Sequence, residues 1–289
     1  MRPMFRLTRK GWLLLSIAAV VAMSFGVIGR IWGPKRLRFT YLTGSIALAR
    51  YQALAARPGW AASRITVAPG IRLNGLVRRP KAADAPWVLF YQGNDAQMLA
   101  VGQGFLSRLA AAHDWGLAIF AYRGYDSSDG APRLPLLAED APEILAQLCT
   151  TEQVDRGRVH LVGFSIGGHI AVRAMVKAAR LQPKPASLSL LASVDDITMV
   201  PRSFYEKLDP GDDFHTRPFL ADVPAPVLVV QGTKDEALLG PGQGQAIAAS
   251  LGPRARYLEL SGVGHVELME NESALAAVRD FIDAHSKQL

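Results

Sequence analysis

The run Gly163-Phe164-Ser165-Ile166-Gly167 sets a serine between two glycines. The apolar stretch Val159-His160-Leu161-Val162 precedes it, and the helical pattern Ile170, Ala171, Ala174, Met175 follows. A serine on a sharp strand-to-helix turn is lifted out at the carboxyl end of a sheet. Glycines flank it because side chains there would collide with neighbouring elements. Such a serine is a candidate nucleophile for acyl transfer, and a hydroxyl needs a base to become one.

A base and an acid to orient it follow in chain order. The apolar run 226–230 leads into Gln231-Gly232-Thr233-Lys234-Asp235-Glu236, which puts Asp235 in a loop at a strand's carboxyl end. The next strand-like run, 256–260, leads into Ser261-Gly262-Val263-Gly264-His265. Among the six histidines, His265 alone lies in a glycine-rich loop just past a late strand. The others, His113, His160, His169, His215 and His285, read as packing or surface residues. The expected catalytic set is therefore Ser165, Asp235 and His265. Asp195 and Asp196 are the runner-up acids.

Charge that develops on a carbonyl oxygen needs N–H donors already in place. One is expected from Ile166, directly after the serine. The second is expected from the loop Gln92-Gly93-Asn94-Asp95 after the strand 87–91, with the Asn94 N–H as candidate. The alternative for that loop is an ordinary strand-to-helix turn with Asp95 as N-cap.

From about residue 65 onward the chain resembles the α/β-hydrolase superfamily, and within it the membrane-anchored, bud-emergence-suppressor-like branch of serine hydrolases. That branch pairs a His-Gly-Asn strand end with a Tyr-Arg-Gly-Tyr-Gly-x-Ser-x-Gly loop. Here these read Gln92-Gly93-Asn94 and Tyr122-Arg123-Gly124-Tyr125-Asp126-Ser127-Ser128-Asp129-Gly130. Gln92 stands for the usual His and Asp126 for a Gly. The resemblance implies an ester or related acyl hydrolase and names no substrate.

The elements that must position these residues alternate. Strands are expected near 64–68 and 71–78, the first pair antiparallel, and then at 87–91, 117–122, 159–164, 187–192, 226–231 and 256–260. Helices are expected at 97–112, 135–149, 167–180, 242–251 and 266–285. This is an α/β fold, a mostly parallel central sheet with helices on both faces. Residues 194–224 lack periodicity and form a short cap excursion. Its Met199, Phe204, Tyr205, Phe214 and Phe219 are candidates to line an acyl or alcohol pocket or to pin the loop down. Residues 39–63 read as a helical linker that joins the hydrolase domain, residues 64–289, to an anchor within residues 1–38.

That anchor is the uncharged apolar stretch 11–29. Nineteen residues at ~1.5 Å each span about 28 Å, a bilayer core. A cleaved signal peptide is the competing reading, with Ala22-Met23-Ser24 as a passable cut. The net charge of +7 belongs to its flanks: residues 1–40 hold eight bases and no acid. The remaining 24 bases against 25 acids leave a net of −1, so no basic face is left for nucleic acid. Four bases lie on each side of the span. A basic N-terminus that stays in the cytoplasm would put the catalytic domain outside it.

The single Cys149 excludes an intrachain disulfide and reads as packing. No metal-ligand spacing or phosphate loop is present, so neither a metal nor an organic cofactor is expected. The reading is a membrane-tethered serine hydrolase of carboxylic esters, with thioesters and amides as related substrates. Its partners are a small or lipid-like acyl ester and the membrane, and oligomeric state is not legible. The rival reading is an idle α/β-hydrolase body used as a binding module at the membrane.

Overall fold

A computed structural model describes residues 41–179, 182–199, 215–238 and 240–286. The strands are β1 (Trp60–Ala68), β2 (Ile71–Arg78), β3 (Trp87–Tyr91), β4 (Gly116–Phe120), β5 (Val159–Phe164), β6 (Ser187–Leu191), β7 (Val227–Gly232) and β8 (Ala255–Leu260). They form one sheet in the order β1-β2-β4-β3-β5-β6-β7-β8. β2 pairs antiparallel with both β1 and β4, and every other pair is parallel.

The helices are α1 (Leu48–Ala55), α2 (Met98–Leu109), α3 (Leu134–Thr151), α4 (Ile166–Ala178), α5 (Arg217–Leu220), α6 (Gly242–Leu251) and α7 (Glu272–Ser286). α2 packs with α7 on one face, while α3, α4, α5 and α6 contact one another in sequence on the other. Covered on both faces, β3 to β7 are buried at every residue, which is why they read as largely apolar runs, with His160, Ser187, Ser189 and Gln231 as buried polar exceptions. The edge strand β1 instead alternates, with Ile65 and Val67 buried and Arg64 and Thr66 exposed.

The strand order positions the site. After β3 the chain crosses to β4 on one side, and after β5 it crosses to β6 on the other. The loops that leave the adjacent strands β3 and β5 therefore diverge and open a crevice at their carboxyl ends.

Two expectations are corrected. Of the helical linker expected over 39–63, Leu48–Ala55 is helical among the described residues, while Trp60 to Ser63 pair with Arg78 to Gly75 and extend β1. The helix expected over 266–285 is split. A 3-10 turn at Val266–Met269 ends before Asn271, whose Oδ1 accepts the Ala274 N–H and starts α7 afresh. No helix among the described residues is long and apolar enough to cross a membrane, and the expected span at 11–29 lies outside them.

Candidate active site

Ser165 occupies the turn between β5 and α4 at φ 56° and ψ −125°, a left-handed conformation that costs a non-glycine residue about 1–3 kcal/mol. Its backbone is held on three sides. The Ser165 N–H donates to the Leu191 carbonyl at 3.0 Å, and the Ser165 carbonyl accepts from Gly168 at 3.0 Å and from Val194 at 3.2 Å. The flanking glycines are required by space. A Cβ on Gly163 would lie 2.6 Å from the Gly167 carbonyl oxygen, and one on Gly167 would lie 2.0 Å from the Tyr91 carbonyl oxygen. The helix start is thus pressed against the end of β3.

Asp235 and His265 come from the loops after β7 and β8, and those loops are stitched together. The Thr233 N–H donates to Leu260 O, the Lys234 N–H donates to Val263 O, and the Gly262 N–H donates to Thr233 Oγ1. Gly232 lets them approach, since a Cβ there would sit 2.2 Å from Val263 O. Across this seam His265 Nδ1 lies 2.8 Å from Asp235 Oδ2 and 3.0 Å from Oδ1. A carboxylate at Nδ1 requires the proton there, which leaves Nε2 as the acceptor nitrogen. Asp235 is 1% exposed and well satisfied. Its Oδ2 also accepts from Gln231 Nε2 at 2.7 Å, and its Oδ1 accepts from the Leu238 N–H at 2.8 Å. The Phe164 ring packs on the imidazole with centroids 4.8 Å apart.

Ser165 and His265 line one cavity of about 620 Å³. Gly93, Asn94 and Ile166 line it too, so the two expected oxyanion donors border the same space as the serine. Ile166 opens α4, where the first N–H groups have no carbonyl within the helix to bond. Gly93 approaches closely, since a Cβ on it would be 3.1 Å from Ser165 Cβ.

The loop that carries the tyrosine-rich motif braces this strand end from behind. Tyr122 Oη donates to Gln92 O at 2.9 Å, and Tyr125 Oη donates to Asn94 Oδ1 at 2.7 Å. Asp126 Oδ2 accepts the Leu99 N–H in the first turn of α2 at 2.7 Å. Asp126 sits at φ 42°, a conformation that a glycine would adopt without strain, and uses its carboxylate as a cap. Burial pushes that carboxyl's pKa up, partly offset by the Leu99 N–H. The second departure, Gln92, is 1% exposed, and its amide has no hydrogen-bond partner among the described residues.

The runner-up acids point elsewhere. Asp195 pairs with Arg217 at 2.6 Å and Asp196 faces His215 at 3.4 Å. Of the expected pocket aromatics, Phe204, Tyr205 and Phe214 lie outside the described residues. Met199 is 60% exposed and does not line the cavity, because the Ile197–Met199 turn directs Ile197 inward in its place. Phe219 packs instead beneath the Arg173 guanidinium, 3.9 Å from its ring centroid. The apolar wall includes residues the sequence did not single out, among them Leu42, Val194, Ile197, Leu238, Val266 and Met269. The polar remainder includes Asp95 and Glu236, and no Lys or Arg lines it among the described residues.

The chain matches no protein-family profile. It is 30% identical over 279 residues to the uncharacterized protein Rv2307c of Mycobacterium tuberculosis, covering 93% of this chain and 94% of that one. Among solved structures, an esterase of Pyrococcus furiosus superposes with a TM-score of 0.65 at 14% identity, over 88% of this chain and 100% of that chain. A putative hydrolase of Agrobacterium vitis S4 superposes with a TM-score of 0.59 at 20% identity, over 79% of this chain and 99% of its own. At such identities the structural likeness speaks for the fold, and the sequence likeness speaks for kinship. The chain therefore belongs to the family of this mycobacterial protein, and its fold is that of the α/β hydrolases.

Proposed function

We propose that the protein is a membrane-tethered serine hydrolase that cleaves carboxylic esters through an acyl-enzyme. The observation that carries this reading is that Ser165, on a strained turn, and His265 border one apolar cavity, with the buried Asp235 2.8 Å from His265 Nδ1 behind it. In this reading Ser165 Oγ attacks the carbonyl carbon while His265 Nε2 takes its proton. The imidazolium is stabilised by Asp235, which also fixes the tautomer. The N–H groups of Ile166 and Asn94 bind the oxyanion. Collapse of the tetrahedral intermediate breaks the C–O bond, and His265 returns the proton to the departing alcohol. Water then attacks the acyl carbon and gives a proton to His265; the Ser165 Oγ–acyl bond breaks, the acid leaves, and His265 returns the proton to Ser165 Oγ.

The cavity's apolar wall and its acidic polar groups favour an uncharged acyl chain over an anionic substrate. The membrane tether rests on the apolar stretch 11–29 and its basic flanks.

A fluorophosphonate probe tests the reading against an idle binding module. Covalent labelling that maps to Ser165 and disappears in Ser165→Ala is expected. A folded protein that the probe leaves unlabelled would favour the binding module.

A further inference from the structure

The chain enters the fold at the mouth of the cavity. Leu42 lines the cavity, and its N–H donates to Asn94 Oδ1 at 2.8 Å. Tyr41 Oη accepts the Leu134 N–H, and the Ile46 N–H donates to Ser127 Oγ at 3.1 Å. These bonds fix residues 41–46 across the carboxyl edge of the sheet.

Four large apolar side chains stand in water among the described residues, Leu42, Leu48, Met199 and Val266, and two of them border the cavity. Leu42 is 48% exposed and Val266 is 61% exposed, and both line the cavity. Met199, 60% exposed, lies two residues beyond Ile197, which lines the cavity, and points outward from it. Exposed apolar groups that ring a cavity mark a surface meant to be covered.

Chain length says by what. The apolar stretch ends at Gly29, and the twelve residues 30–41 that lead to the mouth reach at most about 40 Å even fully extended. They carry Arg30, Lys35, Arg36 and Arg38 and no acid, a composition drawn to the headgroup region of a bilayer.

We infer that Leu42, Met199 and Val266 form a docking rim that seats the mouth of the cavity on the bilayer surface, so that the site takes its acyl ester directly from the membrane. The inference rests on the proposed tether and on the cavity being the active site. The amino ends of the strands, on the opposite side of the sheet, would face away from the lipid.

Site-directed fluorescence on the full-length protein in phosphatidylcholine vesicles tests this. With Cys149→Ala as background, Leu42→Cys, Met199→Cys, Val266→Cys and, as the far-side control, the exposed Ala83→Cys each carry an environment-sensitive fluorophore. Lipid labelled with a quencher at the fifth acyl carbon should quench the three rim positions several-fold more than position 83. Equal quenching at all four would overturn the docking rim. Two further readouts keep the failures apart. Flotation with the vesicles reports the tether, and reaction of Ser165 with a fluorophosphonate reports the active site. A protein that floats and reacts, yet shows equal quenching, refutes the rim and leaves the hydrolase standing. A protein that does not float refutes tether and rim together. Rim quenching without reaction at Ser165 keeps the docking surface and removes the proposed chemistry.

Discussion

Ser165 holds an unfavourable backbone conformation because β6, the turn after it and the first turn of α4 each take one of its hydrogen bonds. Asp235 is fixed just as firmly, by Gln231, Leu238 and His265. The assignment of the orienting acid can be tested by comparison. Asp235→Asn should lower kcat by about 10⁴, through loss of the tautomer-fixing charge. Asp196→Asn should change it little, since Asp196 faces His215. The opposite ranking of the two kcat values would move the acid to the excursion. Ser165, Asp235 and His265 stand out in the sequence because each follows a strand with at least one glycine in the turn, and the fold brings the Asp235 carboxylate onto His265. Leu42, Val194 and Ile197 do not stand out, since nothing local tells an apolar side chain which distant wall it joins. Gln231 carried a faint signal, as a polar side chain that ends an apolar strand.

At the scale of elements, the site depends on β3 and α4 being unusually close. Gly167→Ala would force a methyl to within 2.0 Å of the Tyr91 carbonyl oxygen. Backbone rather than a flexible side chain must then move, so a loss of about 1–3 kcal/mol in unfolding free energy is expected, together with a fall in turnover. Chemical denaturation of the purified variant measures the first. Unchanged stability would mean that the turn is looser than the structure has it. The alternation of strands and helices was legible because five central strands are buried on both faces and two layers of helix cover them. The register of the N-terminal segment was not. Residues 48–63 are rich in Ala and apolar at helical spacing, and only the pairing of Trp60 to Ser63 with β2 makes that part extended. In the same way, helical spacing runs through Asn271, and only its side-chain cap divides the segment.

For the whole molecule, two buried histidines couple stability to pH. Burial pushes His160 and His169 down to about 3, with the charges of neighbouring groups adding to it. His160 is enclosed by Ser187 Oγ at 2.7 Å and Ser286 Oγ at 3.0 Å, and His169 faces Thr216 Oγ1 at 3.1 Å. Unfolded, each would take up a proton near pH 6.5. The folded state keeps its full advantage above that value and loses it as pH falls towards 3, at roughly 1.4 kcal/mol per pH unit for each histidine. Thermal midpoints measured from pH 7.5 down to 4.5 should therefore fall, and fall less steeply in His169→Gln. A midpoint flat across that window would show that the folded rings take up protons over the same pH range as the unfolded chain, so that burial does not hold them down.

The claim that most of this account depends on is that the Ser165 hydroxyl performs the chemistry. Steady-state hydrolysis of p-nitrophenyl butyrate by the full-length protein and by Ser165→Ala, with matched thermal midpoints as proof of folding, addresses it directly. The account predicts a fall in kcat of order 10⁴ or more, to the residual rate that donors and binding alone provide. A folded Ser165→Ala protein that turns over the ester at the rate of the parent would contradict it.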